Sequence, residues 1–182
     1  RPVRPVHTEP FAARRLVEGR ICFPGPGAFF LRSAFITCGD WNTRYRQVPD
    51  FDFWLRLQRL GHFVRVPNVL ARYRIHEQSA SLGFVPAERS DEIIDVVATY
   101  WRTMGDSDDD ARRASAAMSM LLSARSHFSA GRVGVAVSRV FSAWSTNPRR
   151  VTQALGWRIL IGGLVRRPLY AARRLWLNWR GS

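Results

Sequence analysis

Residues 48–61 read VPDFDFWLRLQRLG, and the fold turns on how this stretch is understood. Pro49 followed by Asp50 has the make-up of a helix start, with Asp50 as an N-cap that accepts from first-turn N–H groups. Phe51, Trp54, Leu55, Leu57 and Leu60 supply a broad apolar face. Gly61 stands where a left-handed C-cap residue is expected. The pattern therefore predicts a helix from Asp50 to Leu60. On either side the period changes. Upstream, ICFPGPGAFFLR (21–32) gives a Pro-Gly loop and then a short strand-type run, Ala28 to Leu31, before one helical turn at Ser33 to Thr37 ended by Cys38-Gly39. Downstream, Phe63 to Val66 and Val69 to Arg74 alternate like two strands around a Pro67-Asn68 turn. Helices interleaved with strands point to an α/β region.

Beyond Ile75 to Gly83, which is polar and loop-like, the signal becomes helical. Helices are predicted over Asp91 to Met104, Ala111 to Ala130 and Val133 to Ser145, broken by GDSDDD (105–110), by Gly131 and by Asn147-Pro148. The division falls at residue 86: an α/β part over 1–86 and an all-α, Arg-rich region over 87–182.

Charge divides the chain in a similar place. The 182 residues carry 28 Arg, no Lys and 14 acids, for a net +14. Residues 1–110 hold 15 Arg and all 14 acids, whereas residues 111–182 hold 13 Arg and no acid at all. A face of that kind seeks phosphate, whether of lipid headgroups or nucleic acid. The longest charge-free apolar run, Ile159 to Val165, is far below the roughly 18 residues that span a bilayer as a helix. Cys22 and Cys38 have neither a CxxC partner nor a His cluster, so they read as free thiols in a reducing compartment. A cytoplasmic location follows, peripheral at the inner face of the plasma membrane if the basic region binds there. The chain opens Arg1-Pro2-Val3-Arg4 without a signal-peptide pattern and is expected to be a piece of a longer protein.

Several residues have the chemistry of a site. Asp50, at a helix start where its pKa would be pulled down, could accept a proton from an attacking hydroxyl; equally, it could simply cap the helix. His76 could ligate a metal or meet a diphosphate, or be a solvated loop histidine. Arg72 and Arg74 would share one strand face and could pair with phosphate oxygens. The acidic run Asp106 to Asp110 separates two helices, and its last Asp is placed to cap the second, so it is not read as a metal site. Arg166-Arg167, Arg173-Arg174 and Arg180, interleaved with Trp176 and Trp179, suit either a helix in a membrane interface or one packed on its own protein. Nucleic acid ranks third, since no RNA-binding motif appears.

Read in order, PGAFFLR (26–32), CGDWNTRY (38–45), PDFDFWLRLQRLG (49–61) and RYRIHEQSAS (72–81) form a constellation. It resembles the C-terminal, acceptor-side half of the catalytic domain in family 2 glycosyltransferases of the GT-A fold, over about residues 21–83. The resemblance implies a partial, Rossmann-like α/β domain lacking its N-terminal nucleotide-binding half and followed by the all-α region. It also implies an inverting transfer of sugar from a nucleotide-sugar donor to a hydroxyl of a glycan or lipid-linked acceptor. Asp50 then matches the general base, Asp52, Trp54 and Arg56 match positions that shape the acceptor side, and His76, with Arg74, matches the group that approaches the metal or diphosphate. Mn or Mg would serve the complete enzyme, held by an Asp-x-Asp in the absent half, so that this piece alone binds no metal securely. Pro49 departs from the usual acidic residue there, and Asp40-Trp41-Asn42 matches its motif only loosely. The competing expectation is a non-catalytic basic helical module that binds an anionic membrane, through 149–182, or nucleic acid.

Overall fold

The computed structural model describes residues 9–19, 25–72, 85–105 and 108–165. Every regular element among them is helical: α1 (Ala13–Val17), α2 (Arg32–Cys38), α3 (Pro49–Leu57) with a 3-10 turn at Gln58–Leu60, α4 (Ala87–Ser90), α5 (Glu92–Met104), α6 (Asp109–Ser129), α7 (Val133–Thr146), α8 (Pro148–Thr152) and a last helix over 154–165. No strand occurs among the described residues, so the expected α/β, Rossmann-like part is corrected to an all-α fold. The three strand-type runs explain the error. Residues 28–30 are irregular and Leu31, extended at φ −67° and ψ 137°, is the N-cap of α2. Residues 62–67 and 69–72 are likewise irregular, with Val64 and Val69 almost fully exposed. Alternation assigns side chains to faces, but a strand exists only through a backbone ladder to a neighbour. The loop just before the first run does approach the third: a Cβ on Gly27 (φ 94°) would stand 3.1 Å from the Leu70 Cβ, yet no ladder forms among the described residues.

The start of α3 also differs from expectation. Val48 is the N-cap, Pro49 takes the first helical position, where its missing N–H costs nothing, and Asp50 lies inside the first turn. The α-helix closes at Leu57, and Gly61 is extended (φ 169°) and not left-handed. Elsewhere the breaks behave as their residues suggest. Gly105 ends α5 in the left-handed region (φ 64°). Asp108, two positions before the expected cap, holds the Ala111 N–H at 2.9 Å to start α6 and also pairs with Arg14. Asn147 both ends α7 and, accepting from the Arg150 N–H, begins α8 with Pro148 at N1.

The core is continuous across residue 86. Leu16, Val17, Tyr45, Phe51 and Leu55 pack with Val96, Val97, Tyr100, Trp101 and Ala111 in one cluster. The second cluster lies within the α6–α7 hairpin and its continuation, where Ala117, Ala124 and Ala143 lose all exposure beside Met118, Leu121, Ile159 and Leu160. Alanine at these crossings lets two helix backbones approach closely. Polar side chains bridge the elements at the junction. Asp91 receives Arg139 Nε at 3.1 Å and the Ser123 hydroxyl. Arg132 donates to Val85 O (2.9 Å), to the Ser90 hydroxyl (2.8 Å) and to His127 Nδ1 (2.8 Å). An accepting Nδ1 requires the His127 proton to sit on Nε2, which faces Asp91 Oδ1 at 3.7 Å. A buried pair of long sequence separation, Arg150 Nη2 to Glu18 Oε2 at 2.7 Å, ties α8 to the end of α1.

Two stability predictions follow from these contacts. Arg150→Met takes the buried guanidinium away from the buried Glu18 carboxylate and is expected to cost about 3 kcal/mol in urea denaturation. Replacing both partners by apolar residues of similar volume should cost less than the single change. Burial, reinforced by Arg132, holds His127 below the usual imidazole range. As pH falls below about 6.5, the unfolded chain therefore takes up a proton that the folded chain resists, and stability declines with acidification. His127→Gln should flatten that limb of the stability profile; an unchanged limb would show that another group controls it.

Candidate functional site

The first turn of α3 carries two carboxylates with opposite fates. Asp52 is buried and receives Arg56 Nε at 2.9 Å, one turn along the helix. The rest of the Arg56 guanidinium is turned to backbone: it donates to Cys38 O (2.6 Å), Gly39 O (3.1 Å) and Asp40 O (2.9 Å). These carbonyls belong to the end of α2 and the turn after it, where Gly39 at φ 82° leaves the helix. Asp52 and Arg56 thus form one clamp that fixes α2 against α3. Trp54 is core as well, 5% exposed and edge-on to Phe30, Phe53 and Phe63 at ring separations of 5.2 to 5.9 Å. Its indole N–H finds no acceptor among the described residues, whereas that of Trp101 donates to the Ser115 hydroxyl at 2.6 Å.

Asp50 is the carboxylate left available. It is half-buried, and its carboxylate accepts from the adjacent Phe51 N–H at 2.9 Å; no cationic side chain among the described residues pairs with it. Burial pushes its pKa up, against the lowering effect of the backbone N–H groups. This reverses the expectation from the helix dipole: at this site desolvation outweighs it. A carboxylate with a raised pKa is a stronger base once ionised.

The loop that delivers Asp50 is held from outside. Glu92, in the first turn of α5, accepts three consecutive amides: Arg46 N–H (3.0 Å), Gln47 N–H (2.6 Å) and Val48 N–H (3.3 Å). Successive amides converging on one anion make a cradle that fixes backbone direction. Tyr45, just before it, donates to Asp95 Oδ2 at 2.6 Å, and burial with this partner pushes its phenol pKa up to about 12. Neither acid announces this role in the sequence, because Glu92 and Asp95 look like ordinary first-turn acids of a helix. The signal that could have found them is their presence on an apolar helix beside a loop with no cap residue of its own.

Other expected parts lie elsewhere or outside what is described. His76 and Arg74 lie outside the described residues, and Arg72 is exposed. A cavity of about 290 Å3 opens beside the clamp, lined by Thr37, Cys38, Arg56, Arg59 and Leu60, without Asp50. The described residues do not fit the divalent metal that the resemblance implies. No group of three His, Cys, Asp or Glu among them could hold one, and Asp52 is already engaged by Arg56. No known family, curated protein or solved structure matches the chain.

Glu92→Gln weakens an ionic acceptor shared by three amides and is expected to cost about 2 kcal/mol. Hydrogen exchange should accelerate at the Arg46, Gln47 and Val48 amides by at least about ten-fold, while the α6–α7 hairpin is unaffected. Uniform acceleration over the whole chain would instead mean a global loss of stability.

Proposed function

We propose that this chain supplies the acceptor side of an inverting, nucleotide-sugar-dependent glycosyltransferase, with Asp50 as the base that takes the proton of an attacking hydroxyl. The observation that carries the reading is the division of labour at the start of α3. Of two carboxylates two residues apart, Asp52 is consumed by Arg56 and Asp50 is unpaired among the described residues, half-buried and raised in pKa. That is the condition a general base needs, and a mere structural acid would be expected to carry a partner. The order of the four motifs from Pro26 to Ser81 adds to it. The α/β domain has no part in the support.

In this reading the acceptor hydroxyl, on a glycan or a lipid-linked sugar, approaches Asp50 and loses its proton as its oxygen attacks the anomeric carbon of the donor. The bond from that carbon to the nucleotide diphosphate breaks on the opposite face, so configuration inverts. Asp52, Trp54 and Arg56 act by holding α3 in place, and the Asp50 backbone direction is set through the loop that Glu92 grips.

In the complete protein, Asp50→Asn is expected to lower sugar transfer by about a hundred-fold or more. The circular dichroism spectrum should not change. The base acts only when ionised, so transfer should rise with pH through a pKa above the usual 3.8 of an aspartate. That limb should vanish in the variant. Full transfer by Asp50→Asn would remove the assignment.

A further inference from the structure

The helix over 154–165 is apolar around its circumference except at the exposed Arg158. Its inner side packs on α6: Ile159 and Leu160 join the second core cluster, and Gly163 lies so close that a Cβ would stand 3.0 Å from the Arg125 Cα. Its outer side carries Trp157, Ile161, Leu164 and Val165, at spacings of four, three and one, which is one helical stripe. A helix on a water-facing surface would be polar there. α7 repeats the arrangement. Ala136 and Ala143 are turned inward and lose all exposure, while Val133, Val137, Phe141 and Trp144 form a second stripe. These eight side chains are between 44% and 72% exposed, far more apolar surface than scattered single residues account for.

The charge around the stripes restricts what can cover them. No carboxylate occurs between residues 111 and 182, against 13 Arg. Arg158, next to Trp157, and Arg149 are exposed. A second copy of the chain would bring exposed arginines such as Arg149 and Arg158 toward their own counterparts with no carboxylate from residues 111–182 to meet them, which is repulsive. Nucleic acid would satisfy the charge and could stack on Trp157, Phe141 and Trp144, but the other five side chains are aliphatic and offer bases no ring, so most of the apolar surface would stay unused. An anionic bilayer satisfies both halves of the surface: phosphate headgroups meet the guanidinium groups, and apolar chains with indole rings enter the acyl boundary. We infer that the outward faces of α7 and of the helix over 154–165 dock on an anionic membrane surface. This docking does not depend on the glycosyltransferase reading. Among the described residues no helix is long and apolar enough to cross a membrane, so the contact is peripheral.

The test is flotation of the full chain with vesicles of phosphatidylcholine, with and without phosphatidylglycerol. Binding is expected only to the phosphatidylglycerol vesicles and should weaken as salt is raised. The triple change Trp157→Glu, Ile161→Glu, Leu164→Glu alters exposed positions and should lower partitioning at least about ten-fold with an unchanged circular dichroism spectrum. If that variant loses its helical spectrum, Phe141→Ser with Trp144→Ser on α7 serves as the second probe and should also weaken binding. Trp176→Ser with Trp179→Ser, in the terminal segment, should leave most of the binding in place. Three results overturn the inference: no binding by the parent chain, parent-like binding by folded variants of both stripes, or loss of binding only in the Trp176, Trp179 variant. Dimerisation by a parent that ignores vesicles, abolished by the triple change, would assign the face to a second copy.

Discussion

One carboxylate connects α5 to the loop on which the candidate site depends. Glu92 stands at the N-terminal end of α5, where the helix dipole already favours a negative charge, and it presents both oxygens to the amides of Arg46, Gln47 and Val48. Val48, the N-cap of α3, has no side-chain oxygen to offer, and Pro49 has no N–H to satisfy. The entry to α3 is therefore directed by an acid forty-four residues away in sequence. Tyr45 and Asp95 add a second contact on the same two elements, and Phe51 and Leu55 bury against Val96 and Val97 beneath it. Polar grip and apolar packing act at the same seam, which is why α3 behaves as part of the helical body.

At the other end of α3 the same economy of partners appears. Arg56 has five N–H donors in a rigid fork, and its bonds to Asp52 and to three successive carbonyls use four of them. Lysine could not reproduce it. With Asp52 committed to this clamp, the neighbouring Asp50 keeps the one free carboxylate of the turn, and burial without a cation raises its pKa. Availability for chemistry at Asp50 and rigidity at Asp52 are thus two consequences of a single helix turn, separated by the direction in which residues two apart project.

Much of the helical part was legible because its signals are local. Gly105, Asp108 and Asn147-Pro148 act through their own backbone preferences, so helix limits drawn from them fall within two residues or so of α5, α6 and α7. The strand-type runs were misread for the opposite reason. Phe63 to Val66 and Val69 to Arg72 have strand alternation, but pairing is a property of a neighbour, and no ladder forms on them among the described residues. At the site, Asp50 could be singled out by composition and motif order. Its protonation behaviour could not, because dipole and desolvation act in opposite directions and only burial decides between them. Glu92 was invisible, since its partners are main-chain amides that any sequence supplies.

The charge asymmetry of the chain now has a structural consequence. Because residues 111–182 contain no acid, any ion pair their arginines make with a side-chain carboxylate must reach back to an earlier residue. Arg112 finds Asp109, Arg139 finds Asp91 and Arg150 finds Glu18. The last two cross between elements, so the arrangement stitches the later helices onto the earlier ones and leaves no carboxylate of their own to neutralise what remains. Exposed Arg158 then stands next to Trp157, on a helix whose outward apolar side chains are left exposed, and Arg149 is exposed as well. A surface both cationic and greasy is a poor match for water, for nucleic acid and for its own copy, and a good match for the boundary between phosphate headgroups and acyl chains. The sequence feature that joins the helices to one another is thus also the one that selects what the outer face can meet.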